Sequence, residues 1–312
     1  MPRLVVSTSG NSGMGELSHK KVVGRFAPTP SGGLHFGSLV AALASFLSAK
    51  RQSGRWLVRM EDVDKPRCEP GADAQILHQL ERYGLHWDGA VVYQSTRSEA
   101  YRAALDQLLQ TGLAYACRCS RSHIRHTATR WNSEGAIYPG NCRTLKLAAE
   151  AGLALRLDAG AAQCADKVRF VDGEHGLLEV DVAQEYGDFV LWRVEDMAAY
   201  HLAVVVDDAW QGVTEVVRGA DLLDSSPRQI LLQRALNLPT PQYTHVPLAL
   251  AENGQKLSKQ NRAPCLPLKT PSEDLWDALM FLGEAPPMEY HGTALEELLA
   301  WALEKPERVS AA

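Results

Sequence analysis

The chain has 312 residues, a formal net charge of −5, and 46% hydrophobic against 22% charged residues. That length allows one large domain or two smaller ones around an ordinary buried core. The acidic balance excludes a general attraction to nucleic acid, so any RNA contact has to come from a local basic surface. No apolar run reaches the roughly 18 to 20 residues of a membrane span, and Leu4–Val6 is too short for the apolar core of a signal peptide.

Residues 1–20 are rich in Ser and Gly and are expected to be a disordered extension, with Met14 as an alternative start. A cytoplasmic location is the matching expectation. In that compartment the six cysteines read as thiols or metal ligands, because disulfides are rare there.

Val22–Phe26 is a short apolar strand candidate that opens directly into a Pro/Gly loop, Ala27–Gly33. Ser38–Lys50 is Ala- and Leu-rich and ends in basic residues, the pattern of a helix. Arg55–Met60 predicts a second strand running into Glu61 and Asp62, and helices are predicted at Ala72–Tyr83 and Ser98–Thr111. Strands joined by helical crossovers predict an α/β fold with a parallel sheet covered by helices. From Cys117 to Cys142 the rhythm breaks into clustered Cys, Arg, His and Gly. Beyond it, Ala203–Val206 predicts a buried strand, Ser226–Leu236 a helix and His245–Ala249 a strand, and the pattern after Ser272 is helical.

Two loops carry chemistry. The first, Pro28 to Ser38, sits between a predicted strand and a helix. Its glycines let backbone approach a ligand, and the helix start offers unpaired N–H groups and a positive dipole end to phosphate. His35 adds a donor to a phosphate oxygen. The second, Gly254 to Gln260, holds Lys256 and Lys259 three apart with Ser258 between them. Such a cationic loop suits the charge that develops on a polyphosphate as pyrophosphate departs.

Taken with the blocks between them, these loops resemble a known family. The run from Phe26 through His35 to Ser38 is similar to the His-Ile-Gly-His signature of glutamyl- and glutaminyl-type class I aminoacyl-tRNA synthetases. Lys256 to Gln260 is similar to their Lys-Met-Ser-Lys-Ser loop. Arg59 to Asp64, Tyr200 to Asp208 and Gly212 to Asp221 fit the same group in order, so the resemblance covers residues 22–265. Two positions depart from the pattern: Ser38 stands at the last His of the first signature, and Gln260 at the final Ser of the second.

The resemblance implies a Rossmann-type parallel-sheet catalytic domain with a zinc-binding insertion and a short helical C-terminal part. The corresponding divisions are 21–115 and 191–265 for the two halves of the catalytic domain, 116–190 for the insertion and 266–312 for the helical end. It also implies ATP, brought with Mg2+, at His35, Gly37, Ser38 and Lys259, with His35, Lys256 and Lys259 as the catalytic groups.

L-glutamate carries two carboxylates and one ammonium, so its pocket needs cationic forks and one anion. Arg25 and Arg218 are natural carboxylate partners, because a guanidinium binds a carboxylate bidentately. Glu61 is placed to meet the ammonium, and Tyr200 supplies a hydroxyl and an apolar wall. The resemblance implies these four for amino-acid binding, together with Phe26, Ala27, Pro28 and Thr29, and leaves open which arginine meets which carboxylate.

Cys117, Cys119 and Cys142 offer three thiolates, and a structural zinc ion takes four ligands. Generic chemistry offers His123 or His126 as the fourth. The resemblance implies Tyr138 instead, because shorter glutamyl-type enzymes pair Cys-x-Cys with Tyr-x-x-x-Cys. Cys68, Cys164 and Cys265 show no partner spacing and read as isolated thiols. Arg118, Arg121, His123, Arg125, His126 and Arg130 surround the metal candidates as a basic cluster suited either to RNA phosphates or to plain solvation.

About fifty residues follow Lys259, fewer than the anticodon-binding region of a full glutamyl-tRNA synthetase needs. That shortness resembles the truncated family of glutamyl-queuosine tRNA(Asp) synthetases. Its members activate glutamate without tRNA and attach it to the queuosine base at the wobble position of tRNA(Asp). The implied partners are ATP, L-glutamate and queuosine-bearing tRNA(Asp), with no membrane and a monomeric state. The competing expectations are an enzyme charging the tRNA 3′ end, a non-catalytic tRNA-binding paralogue, and a nucleotidyltransferase acting on another small molecule.

Overall fold

The computed structural model describes residues 21–164, 166–249 and 264–306. The expected extension at residues 1–20 and the second cationic loop, with Lys256 and Lys259, lie outside the described residues.

The chain begins with β1 (Val23–Phe26), α1 (Phe36–Arg51), β2 (Arg55–Met60), α2 (Ala72–Arg82) and β3 (Val92–Tyr93). β1 pairs with β2 and β2 with β3, all parallel. Next come α3 (Ser98–Gln110), β4 (Ala114–Cys117), α4 (Arg121–Thr127), the small hairpin β5 (Trp131–Asn132) and β6 (Gly135–Ala136), and β7 (Ala154–Leu157). They are followed by α5 (Ala159–Gln163), β8 (Val168–Asp172), β9 (Gly176–Val180), α6 (Val182–Glu185), β10 (Val190–Arg193) and β11 (Met197–Ala198). The chain continues through α7 (Tyr200–Gln211), β12 (Glu215–Gly219), α8 (Ser225–Ala235), β13 (Gln242–Val246), α9 (Pro271–Phe281) and α10 (Leu295–Glu304).

β12 pairs parallel with β13, and β13 with β8, while β9 closes that edge antiparallel. β12 lies beside β1: the Thr214 N–H donates to the Val23 carbonyl, and the Thr214 hydroxyl oxygen accepts the Val23 N–H, both at 2.9 Å. The parallel strands therefore run β3-β2-β1-β12-β13-β8, which brings the ends of β1, β2 and β12 together. A separate antiparallel sheet, β11-β10-β7-β4, stands next to them. Its hydrogen bonds run across the divisions expected at 115/116 and 190/191.

α1 forms because its Ala- and Leu-rich sequence is a strong helix former and its C-terminal Lys50 and Arg51 complement the helix dipole. It buries Leu39, Leu43, Phe46 and Leu47 against β1, β2 and the C-terminal helices. Arg51 grips Glu284 with two bonds of 3.0 and 2.9 Å and also donates to the Ala302 carbonyl. The helical end is thereby fixed to the catalytic core. A second core lies between α7, α8 and the antiparallel sheet.

The helices predicted at Ala72–Tyr83, Ser98–Thr111 and Ser226–Leu236 are present within a residue or two of their expected ends. Two expectations are corrected. Ala203–Val206 is not a strand but the middle of α7, with Leu202 to Val205 all buried. A helix enclosed on most sides carries consecutive apolar residues, and four of them reveal no period. The strand expected at His245–Ala249 lies three residues earlier, because Pro247 has no N–H to continue the ladder.

Candidate functional site

The first loop leaves β1 and returns to the start of α1. The Glu61 N–H donates to the Pro28 carbonyl at 3.0 Å and the Glu69 N–H to the Pro30 carbonyl at 2.8 Å, so the loop is fastened to the segment after β2. Gly33 has no room for a side chain: a Cβ would lie 2.4 Å from the Cys265 sulfur. Gly32, at φ 119°, needs the freedom only glycine has there.

His35 caps α1, its Nδ1 accepting the Ser38 N–H at 3.2 Å. An imidazole that accepts through Nδ1 keeps its proton on Nε2, so Nε2–H is the group with which His35 can donate to a phosphate. Gly37 and Ser38 occupy the first turn, where a helix N-terminus can meet an anion, although the Ser38 N–H itself is taken by His35.

Beside the loop lies a buried set of charges. Arg25 on β1, Arg59 on β2 and Arg218 on β12 are 4%, 0% and 5% exposed. Asp208 on α7 accepts from Arg59 Nη1 at 2.7 Å and from Arg25 Nε at 3.4 Å. Glu61 meets Arg59 Nη2 at 3.4 Å. Burial lifts the Glu61 carboxyl above its ordinary range, against the pull of Arg59 and Arg25. Burial likewise lowers the Arg25 guanidinium against the attraction of Asp208, and the like charges of Arg59 and Arg218 lower it further.

Three guanidiniums thus face two carboxylates. The surplus positive charge is the complement of a ligand with one net negative charge. Within this set, Arg218 Nη1 and Arg59 Nε are buried without a hydrogen-bond partner among the described residues. A buried donor left in this way costs about 1 to 3 kcal/mol until a ligand accepts from it.

Thr29, Glu61 and Tyr200 line a cavity of about 280 Å³, with Gln94, Arg121 and Arg193 on its far walls. Tyr200, the first residue of α7, is 37% exposed toward it. The predicted Glu61 and Tyr200 thus line this cavity with Thr29; Arg25 and Arg218 do not line it but lie near enough for their charges to act on the Tyr200 hydroxyl. Arg59 and Asp208 fall in the blocks that carry the resemblance but are assigned no role by it. Their signal is in the sequence: Arg59 is a charge set within the apolar run Trp56–Met60, and Asp208 closes the apolar run Ala203–Val206 together with Asp207, and a charge buried that way has to be paired.

The cysteine cluster is a second centre. Cys117 ends β4, Cys119 precedes α4, and Tyr138 and Cys142 follow the small hairpin. The three sulfurs lie within 4.8 Å of one another. Cys119 and Cys142 are 3.5 Å apart, and the Tyr138 hydroxyl is 3.3 Å from the Cys117 sulfur and 3.7 Å from that of Cys119. Sulfurs bound to one tetrahedral zinc ion at about 2.3 Å stand roughly 3.8 Å apart, so the spacing and the soft donor set fit that ion.

Burial pushes the Cys119 thiol up to about 11, whereas at Cys142 burial is outweighed by hydrogen bonds from the Tyr138 hydroxyl and the Arg118 N–H, which hold that thiol below its ordinary value; a bound divalent cation would favour the thiolate throughout. His123 and His126 are exposed on α4, and His126 Nδ1 is bonded to the Ser122 carbonyl at 2.8 Å; neither joins the sulfurs. Cys68, Cys164 and Cys265 carry free thiols outside the cluster. Around it, Arg118, Arg121, His123, Arg125, His126 and Arg130 are all exposed, and Trp131 beside them is 59% exposed. Arg130 is engaged with the Gln184 carbonyl and side chain. Among the described residues no helix is long and apolar enough to cross a membrane.

The family model for the catalytic domain of class I tRNA synthetases (E and Q) matches residues 21–274. A protein of Thiobacillus denitrificans named glutamyl-Q tRNA(Asp) synthetase is 54% identical over 281 residues, covering 90% of this chain and 91% of the relative. A protein of the same name from Pseudomonas aeruginosa is 52% identical, covering 90% and 92%. Among solved structures, the glutamate-tRNA synthetase of Elizabethkingia anophelis superposes with a TM-score of 0.74 at 25% identity, over 90% of this chain. A glutamate tRNA ligase of Elizabethkingia meningosepticum, solved in complex with its amino acid, superposes with a TM-score of 0.73 at 24% identity. The chain spans 65% and 66% of the length of these two. With the parallel sheet, the capped first loop and this match over most of its length, the chain belongs to the class I tRNA synthetase family of the E and Q type.

Proposed function

We propose that this chain makes glutamyl-adenylate from L-glutamate and ATP without needing tRNA, and then passes the glutamyl group to the queuosine base at the wobble position of tRNA(Asp). The observation that carries the first step is the buried charge set, with its surplus positive charge and the unpartnered Arg218 Nη1. Arg25 and Arg218 take the two carboxylates, Glu61 the ammonium, and Tyr200, Thr29 and the Phe26–Pro28 backbone wall the site. The second step draws on the name shared by the two curated relatives.

In this reading the glutamate α-carboxylate attacks the ATP α-phosphate and pyrophosphate leaves. His35 Nε2–H and the α1 N-terminus, with Gly37 and Ser38, hold phosphate oxygens, and Lys256 and Lys259 are assigned to the departing charge. Mg2+ entering with ATP neutralises phosphate charge. Catalysis is then positioning and electrostatics, with no side-chain nucleophile. A hydroxyl of the acceptor base next attacks the mixed anhydride, an ester forms and AMP leaves.

Cys117, Cys119, Tyr138 and Cys142 would hold a structural zinc ion, and residues 116–190 are read as the unit that carries the metal and the acceptor contacts. The basic face of α4 with Trp131 suits an RNA loop with unstacked bases. The enzyme is read as a cytoplasmic monomer.

The test is the position of labelled glutamate after nuclease digestion of charged tRNA. Label on the modified anticodon nucleoside is expected. Label on the 3′-terminal adenosine would replace this acceptor with the truncated-synthetase alternative, and no label together with no pyrophosphate exchange would point to a non-catalytic paralogue.

A further inference from the structure

Behind Arg218 lies a buried chain of polar groups that none of the steps above uses. Arg218 on β12 and His245 on β13 are register partners on adjacent parallel strands. Arg218 Nε donates to His245 Nε2 at 3.1 Å, and Arg218 Nη2 donates to the Ser226 hydroxyl at 2.8 Å. The Ser226 hydroxyl is itself 3.1 Å from His245 Nε2. On the other side of the ring, His245 Nδ1 is 2.5 Å from the Asp172 carboxylate. His245 and Asp172 are both 0% exposed.

The protons in this chain can be assigned by elimination. A guanidinium only donates, so His245 Nε2 must present its lone pair to Arg218. The ring proton then sits on Nδ1 and is donated to Asp172. Burial disfavours a charged imidazole here, and the nearby Arg218 charge acts in the same direction, against the Asp172 bond. Asp172 is fixed in turn: its Oδ1 accepts the N–H groups of Glu174, His175 and His245 at 3.1, 3.2 and 3.3 Å. Gly173 allows that tight turn, since a Cβ there would lie 2.4 Å from the Thr244 hydroxyl. Tyr243 stacks against His245 at 6.2 Å and lies 5.4 Å beneath the Arg218 guanidinium.

From this geometry we propose that Asp172 and His245 are positioning residues that fix the plane of the Arg218 guanidinium, so that its one unpartnered nitrogen is aimed at a glutamate carboxylate. The proposal rests on the reading of Arg218 as a glutamate ligand. A carboxylate that fixes a histidine tautomer is the logic by which catalytic and metal-bound histidines are oriented; here the oriented group is an arginine. The arrangement also makes glutamate binding depend on the β8–β9 hairpin, since Asp172 is the last residue of β8.

ATP–pyrophosphate exchange on the full chain, at varied glutamate and varied ATP, tests this. H245F removes the acceptor for Arg218 Nε. H245Q keeps an acceptor oxygen at similar reach. D172N preserves shape, but its amide N–H would face His245 Nδ1 and drive the ring proton to Nε2, against Arg218. H245F and D172N are expected to raise the KM for glutamate about ten-fold, the size of one lost charge-assisted hydrogen bond, and to leave the KM for ATP and kcat within about two-fold. H245Q is expected to recover most of the loss. On an R218K background, H245F should add less than about two-fold, because the two changes remove one interaction.

An R218K variant with an altered glutamate KM beside an H245F variant with a normal one would overturn the positioning role and leave the ligand role standing. An R218K variant with a normal glutamate KM would remove the ligand reading beneath it. A fall in kcat and in both affinities together, with a lowered melting temperature, would make the dyad a folding element and also overturn the proposal.

Discussion

The buried charge set and the cysteine cluster solve the same problem in opposite ways. Both hold polar groups away from water. Around Arg25, Arg59 and Arg218 the groups are carried on strands whose pairing is fixed elsewhere, inside two extensive apolar cores, and Asp208 and Glu61 balance most of the charge. Around Cys117, Cys119, Tyr138 and Cys142 the apolar support is a cluster of four buried residues, two of them cysteines and one the tyrosine itself. The first region can leave a donor unpaired and keep its shape, which is what a ligand site needs. The second has little to hold it beyond the groups that would bind the metal.

By that contrast, the largest effect comes from breaking the balance in the first region. D208A leaves Arg25 and Arg59 buried without their shared carboxylate and is expected to cost about 3 to 5 kcal/mol in denaturant unfolding; a cost below about 1 kcal/mol would mean that water enters the set. Chelation, or the C119S substitution, is expected to act locally. Amides from Cys117 to Cys142 should exchange about ten-fold faster or more, while those of β1, β2 and β12 keep their protection. Simultaneous loss in both regions would erase the distinction.

E61Q keeps the shape of the pocket and removes the carboxylate proposed to meet the ammonium. It should raise the glutamate KM about ten-fold, with ATP affinity held within about two-fold. A separate effect is a pH dependence of stability. Burial holds His201 and His245 below their ordinary values, for His201 with help from Arg228 and Arg218. The unfolded chain takes up those protons near pH 6.5 and the folded chain does not. Stability is therefore intact above about pH 6.5 and falls below it, by up to ~1.4 kcal/mol per pH unit for each group. Urea midpoints between pH 7.5 and 5.5 check the sign, and a flat profile would contradict it.

What the sequence made legible follows from the range of the interaction that decides it. The strand–loop–helix from Val22 to Lys50 could be read because glycines, a helix-forming run and basic C-terminal residues are local signals. The cysteines were legible because few other patterns bring soft donors so close in sequence. Ala203–Val206 was misread because a fully buried helix and a buried strand look alike over four residues. The β8–β9 hairpin has only a partial signal: Val168-Arg169-Phe170 and Leu178-Glu179-Val180 alternate, but Val171 and Leu177 beside the turn break the pattern. The Asp172–His245–Arg218 chain had none. Asp172 and His245 are 73 positions apart, and only the β8-β13-β12 strand order brings them together.

The central claim is that the surplus positive charge around Arg25 and Arg218 selects glutamate. It is tested most directly by ATP–pyrophosphate exchange with each of the twenty amino acids, with and without tRNA. The account predicts exchange with glutamate alone, at a rate that does not require tRNA. Exchange with a different amino acid, or with glutamate only when tRNA is present, would contradict it.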